Sequence, residues 1–401
     1  MWWAAILTSS EAEQARGLLT PAAVRERAHE MLEIGIAGGL EHWRVDLDRL
    51  PETARYVAAV IRDQYPTLAV PFHARWRHFA IQGQDFWGPV ADARAWPDAA
   101  NRARTEFDLA IVSVLLDAGS GPGWAYRDAR TGVTLTRSEG LAIASLRMFQ
   151  AGVFSVTERD PWRVDAEALA ALTTEALAEG FQVSEANPLA GLEGRAALLR
   201  RVGAQCLARP DLFATTDMSR PGGLADVLFT RANKEDLLPA PAILVLLLEA
   251  FGPVWQDRLS LGGVDLGDCW KHPAMRRDDA TDGLVPIHKL SQWLSYSLVE
   301  PLQTAGLKVI DLDGLTGLAE YRNGGLFTDL GVLTLKDPAD ADKAWAVSDP
   351  LVVGWRAMTV ALLDRIAPLV RTELGVSAEA MPLASVLEGG TWAAGRRAAA
   401  E

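Results

Sequence analysis

The spacing of apolar residues is the feature that most constrains the fold of this chain. Along much of its 401 residues they recur every three or four positions, the period of a helix with one buried face, and few stretches alternate as strands do. The pattern runs through residues 21–31, 51–64, 165–177, 192–207, 241–251, 286–302 and 350–366. We therefore predict a mainly α protein, a compact multi-helix single unit with few or no strands. It would form one helical domain over residues 1–401, with lobes of about 1–215 and 216–401 as an option.

Composition limits the class of protein. Hydrophobic residues make up 49% of the chain and charged residues 23%, which is typical of a soluble globular protein with a substantial core. The net charge of −13 argues against nucleic acid as a partner, because binding a phosphodiester backbone needs a dense basic surface. A local basic pocket for one phosphate is compatible with that charge. The oligomeric state is left open.

Cysteine usage and apolar runs bear on the compartment. Cys206 and Cys269 are far apart and lack metal-ligand spacing, so we predict two reduced, buried thiols and a cytoplasmic protein. The apolar start at residues 1–8 lacks a basic lead-in and is too short for a signal peptide. The strongest apolar run, 237–255, is interrupted by prolines and by Glu249, which favours a buried helix. We expect no membrane partner.

Residues 283–331 carry a mixture of cations, carboxylates and aromatics that ordinary core or surface patterning does not require. Pro286 predicts the start of a helix, because the missing N–H of proline costs nothing there. Further along, Glu320 and Arg322 precede a pair of glycines, which permit unusual backbone angles. These features predict a ligand site. For the polar residues of the predicted helix alone, a solvated helix face with a few side-chain pairs is the alternative. The candidates here are His288, Lys289, Gln292, Trp293, Glu320, Tyr321, Arg322 and Asp329.

A second candidate region lies earlier in the chain. Arg75, Arg77 and His78 fall within a few positions, and guanidinium groups offer paired donors to a phosphate or carboxylate. An exposed, weakly basic turn is the alternative. Asp117 ends an apolar run and projects into a glycine-rich turn, a geometry that can hold backbone close to a ligand. That turn does not match a dinucleotide-binding fingerprint.

Two further arginines carry opposite expectations. Arg356 lies among apolar neighbours, so it needs a partner if it is buried. Arg195 falls with Arg200 and Arg201 on one side of a helix, and we predict that all three lie on a solvated face.

Six motifs, in this order, resemble the uracil-catabolism family that includes a fungal uracil-regulated protein. They are Pro71-Phe-His-Ala-Arg-Trp-Arg-His-Phe, Val114-Leu-Leu-Asp-Ala-Gly-Ser-Gly-Pro, Thr136-Arg-Ser-Glu-Gly-Leu-Ala, Ser219-Arg-Pro-Gly-Gly, His288-Lys-Leu-Ser-Gln-Trp-Leu and Glu320-Tyr-Arg-Asn-Gly-Gly-Leu. The resemblance implies a pathway that converts uracil to its ribonucleotide and opens the ring, so that a later enzyme must release urea from a ribosylurea phosphate. A fainter similarity, at residues 301–309 and around Arg356, is to the helical queuosine phosphate nucleosidases, which cleave a ribosyl bond.

The implied reaction calls for particular groups. Cleavage of a ribosyl C–N bond passes through an oxocarbenium-like state, which a carboxylate stabilises, and the leaving urea benefits from protonation. We predict Glu320 or Asp117 as the catalytic carboxylate and His288 as the acid, with a hydrogen-bonded interior histidine as the alternative for His288. We expect no metal or other cofactor and a small ribosyl phosphate as substrate. The residues predicted to bind it are Arg75, Arg77, His78, Lys289, Gln292, Trp293, Tyr321, Arg322 and Asp329.

Two other functions compete with hydrolysis. Residues 308–317 place an apolar run before two acids and a Thr-Gly, which could form the diphosphate loop of a phosphoribosyltransferase if it followed a strand of an α/β sheet. The other alternative is a non-catalytic protein that binds a pyrimidine nucleotide and regulates the pathway.

Overall fold

The computed structural model describes residues 10–401, so the stretch 1–8 that we argued is no signal peptide lies outside the described residues. Helix accounts for 55% and strand for 9%, which confirms the predicted mainly α class. Cys206 and Cys269 are both free and buried, as predicted. From residue 10 onward, no helix combines the length and apolar character that crossing a membrane requires.

The helices differ widely in length. In chain order they are α1 (Glu11–Gly17), α2 (Pro21–Ile36), α3 (Leu50–Gln64), α4 (Gly88–Ala93), α5 (Ala99–Leu115), α6 (Arg137–Gln150), α7 (Ala166–Ala170), α8 (Thr174–Gly180), α9 (Leu192–Ala208), α10 (Pro210–Phe213), α11 (Leu224–Arg231), α12 (Ala240–Phe251), α13 (Lys289–Thr304), α14 (Tyr321–Asp329), α15 (Pro350–Leu374), α16 (Leu383–Ser385) and α17 (Trp392–Ala398). The shorter turns include a 3-10 turn at Arg75–Phe79 and a π-helical turn at Val386–Thr391.

The strands are all two or three residues long. In chain order they are β1 (Trp43–Val45), β2 (Ala80–Ile81), β3 (Gln84–Asp85), β4 (Tyr126–Arg127), β5 (Thr134–Leu135), β6 (Leu237–Pro239), β7 (Ser260–Leu261), β8 (Val264–Asp265), β9 (Cys269–Lys271), β10 (Leu284–Pro286), β11 (Lys308–Ile310) and β12 (Leu333–Leu335). They form only two-stranded ladders within the described residues: β1–β12, β2–β3, β4–β5, β7–β8 and β9–β10 are antiparallel, and β6–β11 is parallel. Strand pairing therefore ties short segments together and does not form a layer.

The chain divides into two compact units built from interleaved segments. The first unit comprises residues 10–72, 256–292 and 311–401, and the second comprises 73–255 and 293–310. The division passes through α13. The predicted lobes, in contrast, are continuous in sequence, and the expectation of a single domain stays a prediction.

Long helices form the core of each unit. In the first unit, α15 packs against α2 and α3. This helix begins at Pro350, where proline is well tolerated, and it ends before Gly375, whose φ of +70° is the left-handed conformation that stops a helix. In the second unit, α5 packs against α6, α9 and α11, and nearly every residue from Ala103 to its end is buried. The apolar run that precedes Asp117 is therefore a core helix.

The start of α13 differs from our prediction. Pro286 is the last residue of β10, and the helix begins at Lys289. His288 lies between them with φ +48°, a left-handed conformation that turns the chain from the strand into the helix. The helix ends at Thr304, and Gly306 follows with φ +103°.

Packing between α7 and α9 depends on a glycine. A Cβ atom on Gly203 would lie 2.4 Å from the backbone nitrogen of Ala170 and 2.6 Å from the carbonyl oxygen of Ala166. Gly194, on the exposed side of α9, has open space around the same position.

We therefore expect opposite effects from the same substitution at these two glycines. Gly203→Ala should lower the free energy of unfolding by about 1–3 kcal/mol, because the methyl group forces the two helices apart. Gly194→Ala should be neutral or raise it by up to about 1 kcal/mol, since alanine loses less backbone entropy in a helix. Urea unfolding monitored by circular dichroism measures both. Equal stability of the two variants would contradict the close approach.

Candidate functional site

A fully buried arginine is at the centre of a polar cluster in the second unit. Arg75 opens the 3-10 turn; its Nε donates a hydrogen bond to Ser113 Oγ at 2.7 Å and its Nη1 to Asp117 Oδ2 at 2.5 Å. Its backbone N–H donates to Ser297 Oγ at 2.9 Å. Nη2 is buried and has no hydrogen-bond partner within the part of the chain that the structure describes. We call Arg75, Ser113, Asp117, Ser138 and Ser297 the Arg75 cluster.

Aromatic rings flank this cation. The Arg75 Cζ atom lies 5.5 Å from the ring centroid of Trp293 and 5.9 Å from that of Phe79, within the range of cation–π attraction. His78 meets Trp293 edge-on at 5.6 Å between centroids. Burial lowers the pKa of the Arg75 guanidinium, and the charge of Asp117 acts in the opposite direction. An arginine still keeps its proton, so the cluster presents a cation beside an aromatic wall.

Asp117 is held from two sides. Its Oδ2 accepts from Arg75, and its Oδ1 accepts from Ser138 Oγ at 3.0 Å, at the start of α6. The side chain is 8% exposed, so the carboxylate is nearly enclosed by these donors.

Arg195 fixes the turn that carries Asp117. Its Nε donates to the carbonyl of Leu116 at 3.0 Å, and its Nη2 donates to those of Ala118 at 2.9 Å and Gly119 at 3.2 Å. The prediction that Arg195 lies on a solvated face is wrong, because these carbonyls bury it at 4% exposure. Arg195 thus supplies hydrogen-bond donors to carbonyls of the turn that follows α5.

Arg77 is engaged elsewhere in the second unit. Its Nη2 lies 2.6 Å from both carboxylate oxygens of Glu300, so its charge is already paired. Its role as a phosphate ligand stays a prediction that requires this pair to open.

The first unit contains a second polar network, around Asp268. Its carboxylate accepts from Arg356 Nη1 at 2.9 Å and Nη2 at 2.8 Å, from Trp270 Nε1 at 2.7 Å and from the backbone N–H of Lys289 at 2.9 Å. Burial alone would raise the pKa of Asp268, but the Arg356 charge and these hydrogen bonds hold it well below its usual range. Arg356 thus has the acidic partner that its apolar surroundings required.

His288 joins this network through its backbone. Its N–H donates to the carbonyl of Asp268 at 3.0 Å, and its ring Nε2 lies 3.1 Å from the carbonyl of Leu18. A carbonyl only accepts, so Nε2 carries the proton, and Nδ1 is buried without a partner. Burial lowers the pKa of His288, which favours the neutral ring. This environment suits a proton acceptor better than the predicted acid.

The remaining candidates of the first unit lie around α14. Glu320 caps this helix: its carboxylate accepts from the backbone N–H groups of Arg322 at 3.0 Å and Asn323 at 2.7 Å. The Tyr321 side chain is 65% exposed. Asp329 is exposed at the end of α14, where partial desolvation raises its pKa. Both carboxylate oxygens of Glu320 therefore already cap α14, and a catalytic Glu320 would have to serve both functions.

Arg322 packs against an aromatic ring. Its Cζ lies 5.0 Å from the ring centroid of Trp392, which opens α17. Lys289 and Gln292 occupy the first turn of α13, and Gln292 is fully buried.

The structure thus divides the candidates into three groups. In the second unit it brings together Arg75, Asp117, Trp293 and His78. In the first unit it places His288 and Lys289 at Asp268, and Gln292 follows them in the first turn of α13. Glu320, Tyr321, Arg322 and Asp329 form a separate set on α14. Ser113 and Ser297 were not among the predicted site residues; a serine inside an apolar helix, such as Ser113, was the available signal. In the described part of the chain, no group of three or more His, Cys, Asp or Glu side chains is placed to hold a metal ion.

Comparison with known proteins identifies relatives along almost the whole chain. A family model described as "Protein of unknown function (DUF1688)" matches residues 17–401. Protein urg3 of Schizosaccharomyces pombe is 39% identical over 393 residues, covering 94% of this chain and 92% of its own length. Uracil catabolism protein 4 of Lachancea kluyveri is 35% identical over 389 residues, covering 90% and 88%. The predicted resemblance to the uracil-catabolism family is confirmed.

Removing Arg356 should destabilise the first unit. Arg356→Ala leaves the Asp268 carboxylate partly buried without its cation, which should lower the free energy of unfolding by about 3–5 kcal/mol. Arg365→Ala, on the same helix, breaks an exposed ion pair with Glu33 and should cost about 0–1 kcal/mol. Urea unfolding of both variants is the measurement. A loss at Arg356 no larger than that at Arg365 would contradict the buried network.

The neutral state of His288 should make stability depend on pH. Its pKa is lowered in the folded protein, so below about pH 6.5 the unfolded chain binds a proton that the folded chain does not. Stability should therefore fall as the pH drops below that value, and His288→Gln should reduce the slope of unfolding free energy against pH between about 6.5 and 5. His272, whose pKa burial also lowers, should contribute separately, so the double variant should show the smaller slope. An unchanged slope in His288→Gln would contradict a neutral buried imidazole.

Proposed function

This chain belongs to the DUF1688 family, and from that membership we propose that it acts in the breakdown of uracil, the process for which its Lachancea kluyveri relative is named. Within that process we propose that it hydrolyses the N-ribosyl bond of a ribosylurea phosphate, giving urea and ribose phosphate. The supporting observation is the Arg75 cluster, in which a carboxylate, a cation with an unpartnered nitrogen and an aromatic ring lie together.

Each group of that cluster has a role in the reaction. Asp117 stabilises the positive charge that develops at ribose C1 and accepts a proton from the attacking water. The water oxygen bonds to C1 as the C1–N bond breaks, and the urea nitrogen takes up a proton from the medium. Arg75 Nη2 donates to a phosphate oxygen, for which guanidinium is well suited. Trp293 forms one wall beside the ribose.

Neighbouring residues hold the Asp117 carboxylate in one position. Ser138 and Arg75 bind its two oxygens, and Arg195 fixes the preceding and following carbonyls of the turn. A carboxylate held in this way does not need to reorganise when charge develops, which is how an active site gains from preorganised groups.

The transferase alternative has less support. A diphosphate loop of that kind follows a strand in an α/β sheet, whereas β11, at the start of residues 308–317, pairs with β6 alone. No larger sheet is present in residues 10–401. The regulatory alternative needs the same cationic site but no carboxylate, and the effect of removing the carboxylate distinguishes it.

The decisive experiment is release of urea and ribose phosphate from enzymatically prepared ribosylurea phosphate by the purified protein. Asp117→Asn should lower kcat by roughly 10²–10⁴-fold while the fold is retained, because the amide neither takes the proton nor stabilises the cation. Asp278→Asn, an exposed carboxylate in a loop, is the matched control and should leave kcat unchanged.

Two results would move the assignment. Loss of turnover in Glu320→Gln and not in Asp117→Asn would transfer the carboxylate role to Glu320. No release by the folded wild-type protein, with ribosylurea phosphate still bound, would favour the regulatory alternative.

A further inference from the structure

Several buried side-chain atoms of the first unit have no hydrogen-bond partner among residues 10–401. They include His288 Nδ1, Gln292 Nε2 and Asn323 Oδ1, which belong to residues that are at most 1% exposed. Buried polar atoms are almost always paired, so orphaned atoms of this kind call for an explanation, such as a ligand that the protein is built to receive.

The contacts of the neighbouring atoms define what each orphan can do. Gln292 Oε1 accepts from the backbone N–H of Thr316 at 3.4 Å, so the free end of that amide is its NH₂ group, a donor. Asn323 Nδ2 donates to the carbonyl of Leu318 at 3.1 Å, so its free atom is the oxygen, an acceptor. His288 Nε2 donates to Leu18, so Nδ1 is an acceptor as well.

These side chains are joined through one buried segment of backbone. Gln292 and Asn323 bind groups of Thr316 and Leu318, which are two residues apart and thus within about 7 Å along an extended chain. His288 precedes Gln292 by one hydrogen-bonded helical turn, N–H to carbonyl at 2.9 Å. The set is one donor and two acceptors in one part of the unit.

The surrounding network makes that arrangement rigid. Arg356, paired with Asp268, also lies with its Nε 3.5 Å from the carbonyl of Ala319, directly after the shared segment. Asp268 in turn accepts from the backbone N–H of Lys289 through its carboxylate and from that of His288 through its carbonyl. The Arg356–Asp268 ion pair therefore contacts the backbone both next to the Thr316–Leu318 segment and at His288.

We infer that His288, Gln292 and Asn323 form a binding site for a ureide, a group in which one carbonyl lies between two N–H groups. The carbonyl accepts from Gln292 Nε2, and the two N–H groups donate to Asn323 Oδ1 and His288 Nδ1. A carboxylate or phosphate is a poor match, because such an anion would face two acceptors. Urea, and uracil through its N1–C2–N3 edge, both carry the required group. The inference rests on these three atoms and not on the proposed hydrolysis.

Binding of uracil and of urea, measured by saturation-transfer NMR and by titration calorimetry, tests this site. The wild-type protein should bind uracil, urea should compete with it, and acetate and inorganic phosphate should not. Gln292→Met removes the donor at nearly constant volume and should weaken uracil binding by about tenfold or more. Gln303→Met, at an exposed position of the same helix, is the matched control and should bind as the wild type does.

The outcomes separate this inference from the hydrolase proposal. Uracil binding that is absent from the wild type, or unchanged in a folded Gln292→Met, would overturn the ureide site, even if ribosylurea phosphate were hydrolysed. Binding that is intact in a protein without turnover would leave the site standing and contradict only the hydrolase. Competition by acetate or phosphate equal to that by urea would show an anion site and also overturn the inference.

Discussion

The need to satisfy buried guanidinium groups constrains this structure more than any other interaction. Arg75 binds Asp117, Arg220 lies 2.8 Å from Asp108, and Arg195 binds backbone carbonyls at the end of α5. In the first unit, Arg356 forms a similar pair with Asp268, although both side chains are only partly buried. A buried charge without its partner is costly, so each pair fixes segments that are far apart in sequence. Because the strands of residues 10–401 form only two-stranded ladders, ion pairs and helix packing hold together segments that a larger sheet would otherwise connect.

This constraint also explains where the candidate sites lie. Each of these arginines makes two or more hydrogen bonds, yet one buried nitrogen of Arg75 has no partner among the described residues. His288, which follows β10, has a left-handed backbone conformation. A strained residue or a buried polar atom without a partner lowers stability, so such features are found mainly at functional sites. Stable ion pairs thus hold the backbone segments in place, and the polar atoms that they leave without hydrogen-bond partners are available to bind a ligand.

Features that depend on residues close together in the sequence were predictable, and features that depend on distant contacts were not. Helical periodicity is local, so the mainly α class and the burial of the run before Asp117 were predictable. The start of α13 was not, because Pro286 suits a strand edge as well as a helix start, and the pairing of β10 with β9 decided the matter. Arg195 was misplaced for a similar reason: three of its carbonyl partners, in residues 116–119, are nearly 80 positions away in sequence, and no pattern within its own helix points to them.

Functional residues were harder to predict, since one residue type serves several purposes. Glu320 stands directly before a helix, a position where a carboxylate is stabilised by free N–H groups whether or not it takes part in chemistry. The structure shows that both of its oxygens are used in this way, whereas Asp117 follows a helix and gains nothing from the dipole there. A carboxylate near a helix C-terminus is placed against the local field, so its position needs donors from elsewhere, and here a serine and an arginine provide them. The unfavourable field at this position is the physical reason to assign the catalytic role to Asp117 and not to Glu320.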